Sequence, residues 1–192
     1  MMSALPLVRE GLQLRLATRD DLAAIWEIER ASFSTPWPPE YLEQQLGEGF
    51  VVLERAGRLV GYAVIGAKLP TFFSRLEQRT RALLSGGLQL EPPLVAHILN
   101  IAVAPALRRQ GLGRYLVQYA LNYARRLGAA RIELEVRTDN STAIALYQRF
   151  GFHIQEIVPK YYSDGADAYL MVKALAPAEG SPNLRGYRDR AG

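Results

Sequence analysis

The feature that most constrains this chain is a turn. Arg108-Arg109-Gln110-Gly111-Leu112-Gly113-Arg114 joins a run of strand formers, His97 to Val103, to a stretch from Gly111 to Leu127. That stretch carries Leu112, Tyr115, Leu116, Tyr119, Ala120 and Tyr123 at helical spacing. Pro105 ends the strand and Gly128 closes the helix. A strand that passes through a glycine turn into a helix leaves unpaired N–H groups and the positive end of the helix dipole together, a combination that favours an anion. Two familiar phosphate loops do not fit: one needs Gly-Lys-Ser/Thr after its second glycine and the other a third glycine, whereas Gly113 is followed by Arg114-Tyr115-Leu116. An isolated Gly-x-Gly also suits a helix start packed with small residues, so the turn by itself leaves both readings open.

The elements around it suggest an α/β domain. Thr18-Arg19-Asp20-Asp21 has capping-box spacing, and Leu22, Ile25, Trp26 and Glu29 follow with helical period, which predicts a core-facing helix to about Ala31. Phe33-Ser34-Thr35-Pro36-Trp37-Pro38-Pro39 must be a loop, and Glu40 to Leu46 a short helix behind it. Phe50 to Glu54 and Leu59 to Ile65 read as a hairpin about Arg55-Ala56-Gly57-Arg58. In Arg131 to Arg137, Ile132, Leu134 and Val136 alternate with Glu133, Glu135 and Arg137, as in a strand with one buried face. A helix from Ser141 to Phe150 follows, then strands at Phe152 to Val158 and Asp167 to Lys173. Pro70 to Pro93 interrupts the order as an insertion with an amphipathic helix near Phe72 to Leu84. Residues beyond Leu175 read as an unstructured tail.

Composition removes several chemistries. With no cysteine among 192 residues, disulfides and a catalytic cysteine are excluded, and two histidines make a His/Cys zinc site a poor expectation, so no metal is expected. No apolar run approaches the ~18 residues that span a bilayer, and Met1 to Gly11 is too short in apolar residues for a secretory signal. No membrane partner and a cytoplasmic location are expected. The net charge is +4, but the arginines are scattered, and their one close group, at the glycine turn, suits a small phosphorylated molecule at least as well as nucleic acid.

The pattern Arg-x-x-Gly-x-Gly after Asn100-Ile101-Ala102-Val103-Ala104-Pro105 resembles the central acetyl-CoA motif of the GNAT acetyltransferases. Leu134-Glu135-Val136-Arg137-Thr138-Asp139-Asn140-Ser141 and Ala143 to Phe152 resemble the second half of that fold, and the likeness covers most of Leu12 to Leu175. It implies the GNAT fold, a mixed and mostly antiparallel sheet flanked by helices, over 12–175, with an extension at 1–11, the insertion at 70–93 and a tail at 176–192. It also implies acetyl-CoA as co-substrate. Ile101, Ala102 and Val103 would meet the pantetheine arm and the reacting carbonyl through their backbone. Arg109, Gln110, Gly111, Leu112, Gly113 and Arg114 would cradle the phosphates, and Asn140, a helix cap by position, would contact the cofactor as well.

Acetyl transfer to an amine needs a neutral amine, support for the charge that develops on the carbonyl oxygen, and a proton for the departing thiolate. By pattern, Glu135 is an ordinary strand glutamate like Glu133, and Tyr147 a core tyrosine beside Ile144 and Phe150. Bacterial RimI-type members of the family carry a catalytic glutamate in the same Leu-Glu-Val-Arg context, followed by an asparagine and a Leu-Tyr pair. The resemblance therefore implies Glu135 as base and Tyr147 as acid, acting by direct attack in a ternary complex. His97 and His153 lie in apolar strand runs and are expected to be hydrogen-bonded structural residues without a role.

Pro159-Lys160-Tyr161-Tyr162-Ser163-Asp164-Gly165-Ala166-Asp167-Ala168-Tyr169 is similar to the segment that walls the peptide groove in archaeal and eukaryotic N-terminal acetyltransferase subunits. Tyr161 and Tyr162 would bury ring surface against a peptide, although turn tyrosines packing on the sheet fit the pattern too. Phe33 and Trp37, in a stretch resembling the RimI Phe-x-x-Pro-Trp loop, would form the opposite wall. The expected acceptor is a protein N-terminus, foremost the alanine of a small-subunit ribosomal protein, with broad N-terminal specificity as the alternative. A small-amine acetyltransferase and a non-catalytic acetyl-CoA-binding protein that docks on RNA through Arg185, Arg188 and Arg190 are weaker rivals.

Overall fold

A computed structural model describes residues 11–68 and 93–175. The chain begins with β1 (Leu12–Leu16) and a 3-10 turn (Arg19–Asp21), then α1 (Leu22–Ser32), α2 (Pro39–Gln44) and the β2 (Phe50–Arg55) and β3 (Arg58–Lys68) hairpin. There follow β4 (Val95–Val103), a 3-10 turn (Pro105–Leu107), α3 (Leu112–Arg126), β5 (Arg131–Arg137), α4 (Ser141–Arg149), β6 (His153–Val158) and β7 (Ala168–Ala174). The predicted helices and strands therefore exist, with ends shifted by a few residues. β1 had not been predicted: it is five residues long with half-buried side chains, too short to stand out from an extended terminus. The helix expected near Phe72 to Leu84 and the tail expected beyond Leu175 lie outside the described residues.

One seven-stranded sheet in the order β1-β2-β3-β4-β5-β7-β6 carries the fold. Its strands pair antiparallel except for β4 and β5, which run parallel because α3 connects them. The two faces bury different helices. α3 and α4 cover one face, where Leu116, Val117, Ala120 and Tyr147 pack against Leu53, Ile98, Leu134 and Val136. α1 and α2 cover the first half of the other face, where Ile25, Ile28 and Leu42 meet Phe50, Val52, Tyr62 and Val64. Among the described residues no helix is long and apolar enough to cross a membrane.

The entry into α1 is held by charge. The Arg15 guanidinium on β1 donates two 2.7 Å bonds to the Asp21 carboxylate, and the Thr18 N–H and hydroxyl donate to Asp21 at 2.8 and 2.9 Å. The Arg15 bonds, followed by those from Thr18 against the cost of burial, pull the Asp21 carboxyl down to about 2 from 3.8. A carboxylate depressed in the folded state stabilises it above the unfolded pKa, and that contribution is lost as pH falls through the folded value. Asp21→Asn should lower the unfolding free energy by about 1–2 kcal/mol at neutral pH. In denaturant titrations the gap from the parent should close as pH falls from 3.8 toward about 2.

Candidate active site

β4 and β5 part company in the middle of the sheet. They pair only from Val95↔Arg131 to Ile98↔Leu134, yet β4 stays on β3 as far as Val103↔Gly61 and β5 stays on β7 as far as Arg137↔Ala168. The separation starts where β4 carries an extra residue: Val64 faces Asn100 and Ile65 faces Ile98, so Leu99 is bulged out of the ladder. Beyond this point the sheet is open as a wedge, a feature that no side-chain pattern in the sequence announces.

A groove of about 890 Å³ runs through the wedge. Ile101, Ala102 and Val103 form one side, and Asn140 with Leu146 and Tyr147 of α4 the other. Arg109, Gly111, Leu112, Gly113 and Arg114 line it at the glycine turn, with Arg108 beside them. Gly111 caps α3 in a left-handed conformation, φ 82°, and Arg109 takes φ 61°, so the chain turns sharply into the helix N-terminus beside the groove. Phe33, at the end of α1, closes the far end. Gln110 is a departure: its side chain accepts a 2.8 Å bond from Arg55 and does not line the groove. Asn140 caps α4 through a 3.1 Å bond from the Ala143 N–H and also lines the groove.

Glu135 is the first β5 residue beyond the last pair with β4. It is no ordinary surface glutamate, since its side chain is only 14% exposed and stands 2.6 Å from His97 Nε2. His97, buried on β4, thus contacts the candidate base, and its Nδ1 has no hydrogen-bond partner among the described residues. His97 is buried and hydrogen-bonded as expected; that its partner is the candidate base follows from its place across the β4–β5 junction, which needs the strand register. His153 departs from expectation, being exposed on edge strand β6. Tyr147 is 9% exposed and belongs to the core, yet it borders the groove, so the two readings of it describe one residue. Burial, and next the neighbouring Tyr162, push its phenol well above the ordinary range and keep it protonated.

Two further walls flank Glu135. Tyr161 is half-exposed and its hydroxyl bonds to Glu135; burial and then the Glu135 charge raise its pKa. Tyr161 meets Tyr162 edge-on at 5.0 Å, and the Tyr162 phenol is pushed up to about 12, chiefly by burial. On the opposite side Trp37 stacks edge-on against Tyr41 of α2 at 4.8 Å. Arg137 reaches between these walls: it bonds Asp164 at 2.7 Å and Ser34 Oγ at 3.5 Å, and lies 5.1 Å from the Tyr162 ring centre. Neither Arg137 nor Tyr41 was singled out in the sequence, because only the fold brings them to the cleft. Among the described residues no group of three or more His, Cys, Asp or Glu side chains is placed to hold a metal.

An anion-binding turn that feeds a slot through a parted sheet, with a carboxylate at the opening, is the site of a group-transfer enzyme using a phosphorylated carrier. Residues 22–152 match the model of the acetyltransferase (GNAT) family, and the chain belongs to that family. It is 33% identical over 167 residues to an N-alpha-acetyltransferase of Sulfolobus acidocaldarius, covering 85% of this chain and 92% of the relative. It is 34% identical over 168 residues to the N-alpha-acetyltransferase RimI of Mycobacterium tuberculosis, covering 84% and 92%. The solved ribosomal-protein-S18-alanine N-acetyltransferase from Escherichia coli superimposes with a TM-score of 0.67 at 28% identity, covering 90% of this chain and 98% of that one.

The Arg137–Asp164 pair has a direct test. The Arg137 bond, followed by the Ala166 N–H, holds the Asp164 carboxyl below its usual range. In carboxyl NMR titrations Asp164 should titrate below an ordinary aspartate in the parent and rise toward the ordinary range in Arg137→Gln; an unchanged midpoint would remove the link between the walls.

Proposed function

We propose that the chain transfers the acetyl group of acetyl-CoA to the α-amino group of a protein N-terminus, by direct attack with both substrates bound. The observation that carries this is the place of Glu135, at the opening of the wedge between the groove and the tyrosine-lined cleft. The groove fits the co-substrate by its chemistry: arginines and turn amides at one end match phosphates, and the narrow passage along Ile101 to Val103 matches an acyl arm with unpaired backbone groups. Acetyl-CoA supplies an activated carbonyl and a thiolate leaving group.

The chain's residues supply the rest. An N-terminal amine has a reference pKa of about 8, roughly 2.5 below lysine, so a modest base suffices to free its lone pair. Glu135 takes the proton as the amine nitrogen bonds to the acetyl carbon, while His97 Nε2 holds the carboxylate in position. Backbone N–H groups of Ala102 or Val103 support the charge that develops on the carbonyl oxygen. As the carbon–sulfur bond breaks, Tyr147 gives its phenolic proton to the thiolate. Phe33 and Trp37 form one wall for the acceptor peptide, and Tyr161 and Tyr162 the other.

For the acceptor itself we favour the N-terminal alanine of a small-subunit ribosomal protein. The support is the Leu-Glu-Val-Arg context of Glu135, the Phe33 to Trp37 loop and the likeness to the Escherichia coli enzyme. Broader N-terminal specificity is the second reading, favoured by the 33% identity to the archaeal relative, against 28% to the Escherichia coli enzyme.

Release of free thiol from acetyl-CoA tests this with four acceptors: an alanine-starting ribosomal peptide, an acidic-starting peptide, a blocked peptide with an internal lysine, and spermidine. Turnover should require a free peptide N-terminus. Glu135→Gln and Tyr147→Phe should each lower kcat on the order of 100-fold, and His97→Gln by less. Tyr161→Ala and Tyr162→Ala should raise the peptide KM more than the acetyl-CoA KM. Turnover of lysine or spermidine alone would reject the acceptor.

A further inference from the structure

Glu29 is a carboxylate that this chemistry does not use. It sits in the apolar stripe of α1, 1% exposed, where Ile25 and Ile28 show that an aliphatic side chain suffices for packing. Three donors converge on it: the Tyr62 hydroxyl from β3, the Trp37 N–H at 2.8 Å, and Asn100 Nδ2 at 3.2 and 3.3 Å from the two oxygens. Burying a carboxylate is costly unless its lone pairs are satisfied, and an acceptor-only group is what three convergent donors require. The partners come from separate parts of the site. Asn100 follows the bulged Leu99 and precedes groove-lining Ile101 on β4. Trp37 lies in Pro36-Trp37-Pro38-Pro39, where proline removes every other backbone N–H, so Glu29 takes the single main-chain donor this stretch has.

We propose that Glu29 is a positioning residue, which fixes the Phe33–Trp37 wall against the bulged strand β4 and so sets where the acceptor peptide lies relative to Ile101 to Val103. It acts through Trp37 and Asn100 and does not touch the reacting atoms. The inference rests on the reading of that loop as an acceptor wall. The glycine turn lies at the other end of the groove, so the tether acts on the peptide and not on the binding of acetyl-CoA.

The chain has two tryptophans, Trp26 and Trp37, so a Trp26→Phe background makes Trp37 the sole indole reporter. In that background Glu29→Gln, whose amide turns an N–H group toward the convergent donors, should make Trp37 more accessible to acrylamide quenching. In steady-state assays it should raise the peptide KM on the order of tenfold while the acetyl-CoA KM stays within about twofold. Tyr62→Phe removes one donor with little change of shape and should move both readouts in the same direction by less; it carries the test if Glu29→Gln does not fold. Unchanged Trp37 quenching in the folded variant, or equal rises in both KM values, overturns the proposal. Should the parent not turn over peptides at all, the acetyl-transfer reading fails, and the tether still stands or falls by the quenching.

Discussion

The parting of β4 from β5 is the constraint on which the site depends. In a continuous sheet, the α1–α2 side and the α3–α4 side are separated by a layer of paired backbone. Glu135 belongs to the first side, because Leu134 and Val136 on either side of it pack toward α3, whereas Tyr147 belongs to the second. Only where the strands separate can groups from both sides border one passage, as Phe33 and Tyr147 do. The opening leaves backbone N–H and C=O groups of β4 without strand partners, and such groups need other partners. In the proposed reaction an extended substrate arm laid along Ile101 to Val103 would supply them, so the break in the ladder would serve both as access route and as recognition element.

The same opening brings the proposed base and the proposed acid into contrasting surroundings. Glu135 lies at the edge of the wedge among polar partners, His97 and the Tyr161 hydroxyl. Tyr147 lies under the sheet in an apolar cluster, edge-on to Phe152 at 5.7 Å, and burial holds its proton in place. Different surroundings thus suit the two residues to the opposite proton-transfer tasks proposed for them. The bulge at Leu99 contributes again here, since it turns Asn100 to Glu29 and thereby ties the strand that carries the groove to the loop that carries Trp37.

What could be read in the sequence was whatever is periodic or local. α3 and β5 were legible from spacing, and the turn into α3 from Gly111 and Gly113. Glu135 and Tyr147 were reached by resemblance, since by pattern alone each looked structural. β1 escaped because five residues with a weak alternation do not distinguish a strand from a terminus. The wedge, the His97–Glu135 contact and the convergence on Glu29 were out of reach for one reason: each depends on the register of strands joined by long connections. His97 and Glu135 are 38 residues apart, and Asn100 and Glu29 are 71 apart. Gln110 shows the converse limit, where a motif position fixes the backbone and leaves the side chain to local chance, here Arg55.

Charge at the cleft bears on the kind of amine it suits. A small polyamine carries several cations and is held best by several free carboxylates. Near Glu135, Arg137 bonds both Asp164, at 2.7 Å, and Asp139, at 3.3 Å, so both aspartates are already engaged by one shared guanidinium. Glu135 is itself engaged by His97 Nε2 at 2.6 Å and lies beside the paired rings of Tyr161 and Tyr162. A peptide N-terminus suits such a cleft, having a single amine followed by backbone and side chains that can lie against aromatic faces. The positive net charge of the chain does not oppose this, since Arg108, Arg109 and Arg114 gather at the far end of the groove, where phosphates rather than the acceptor would be met.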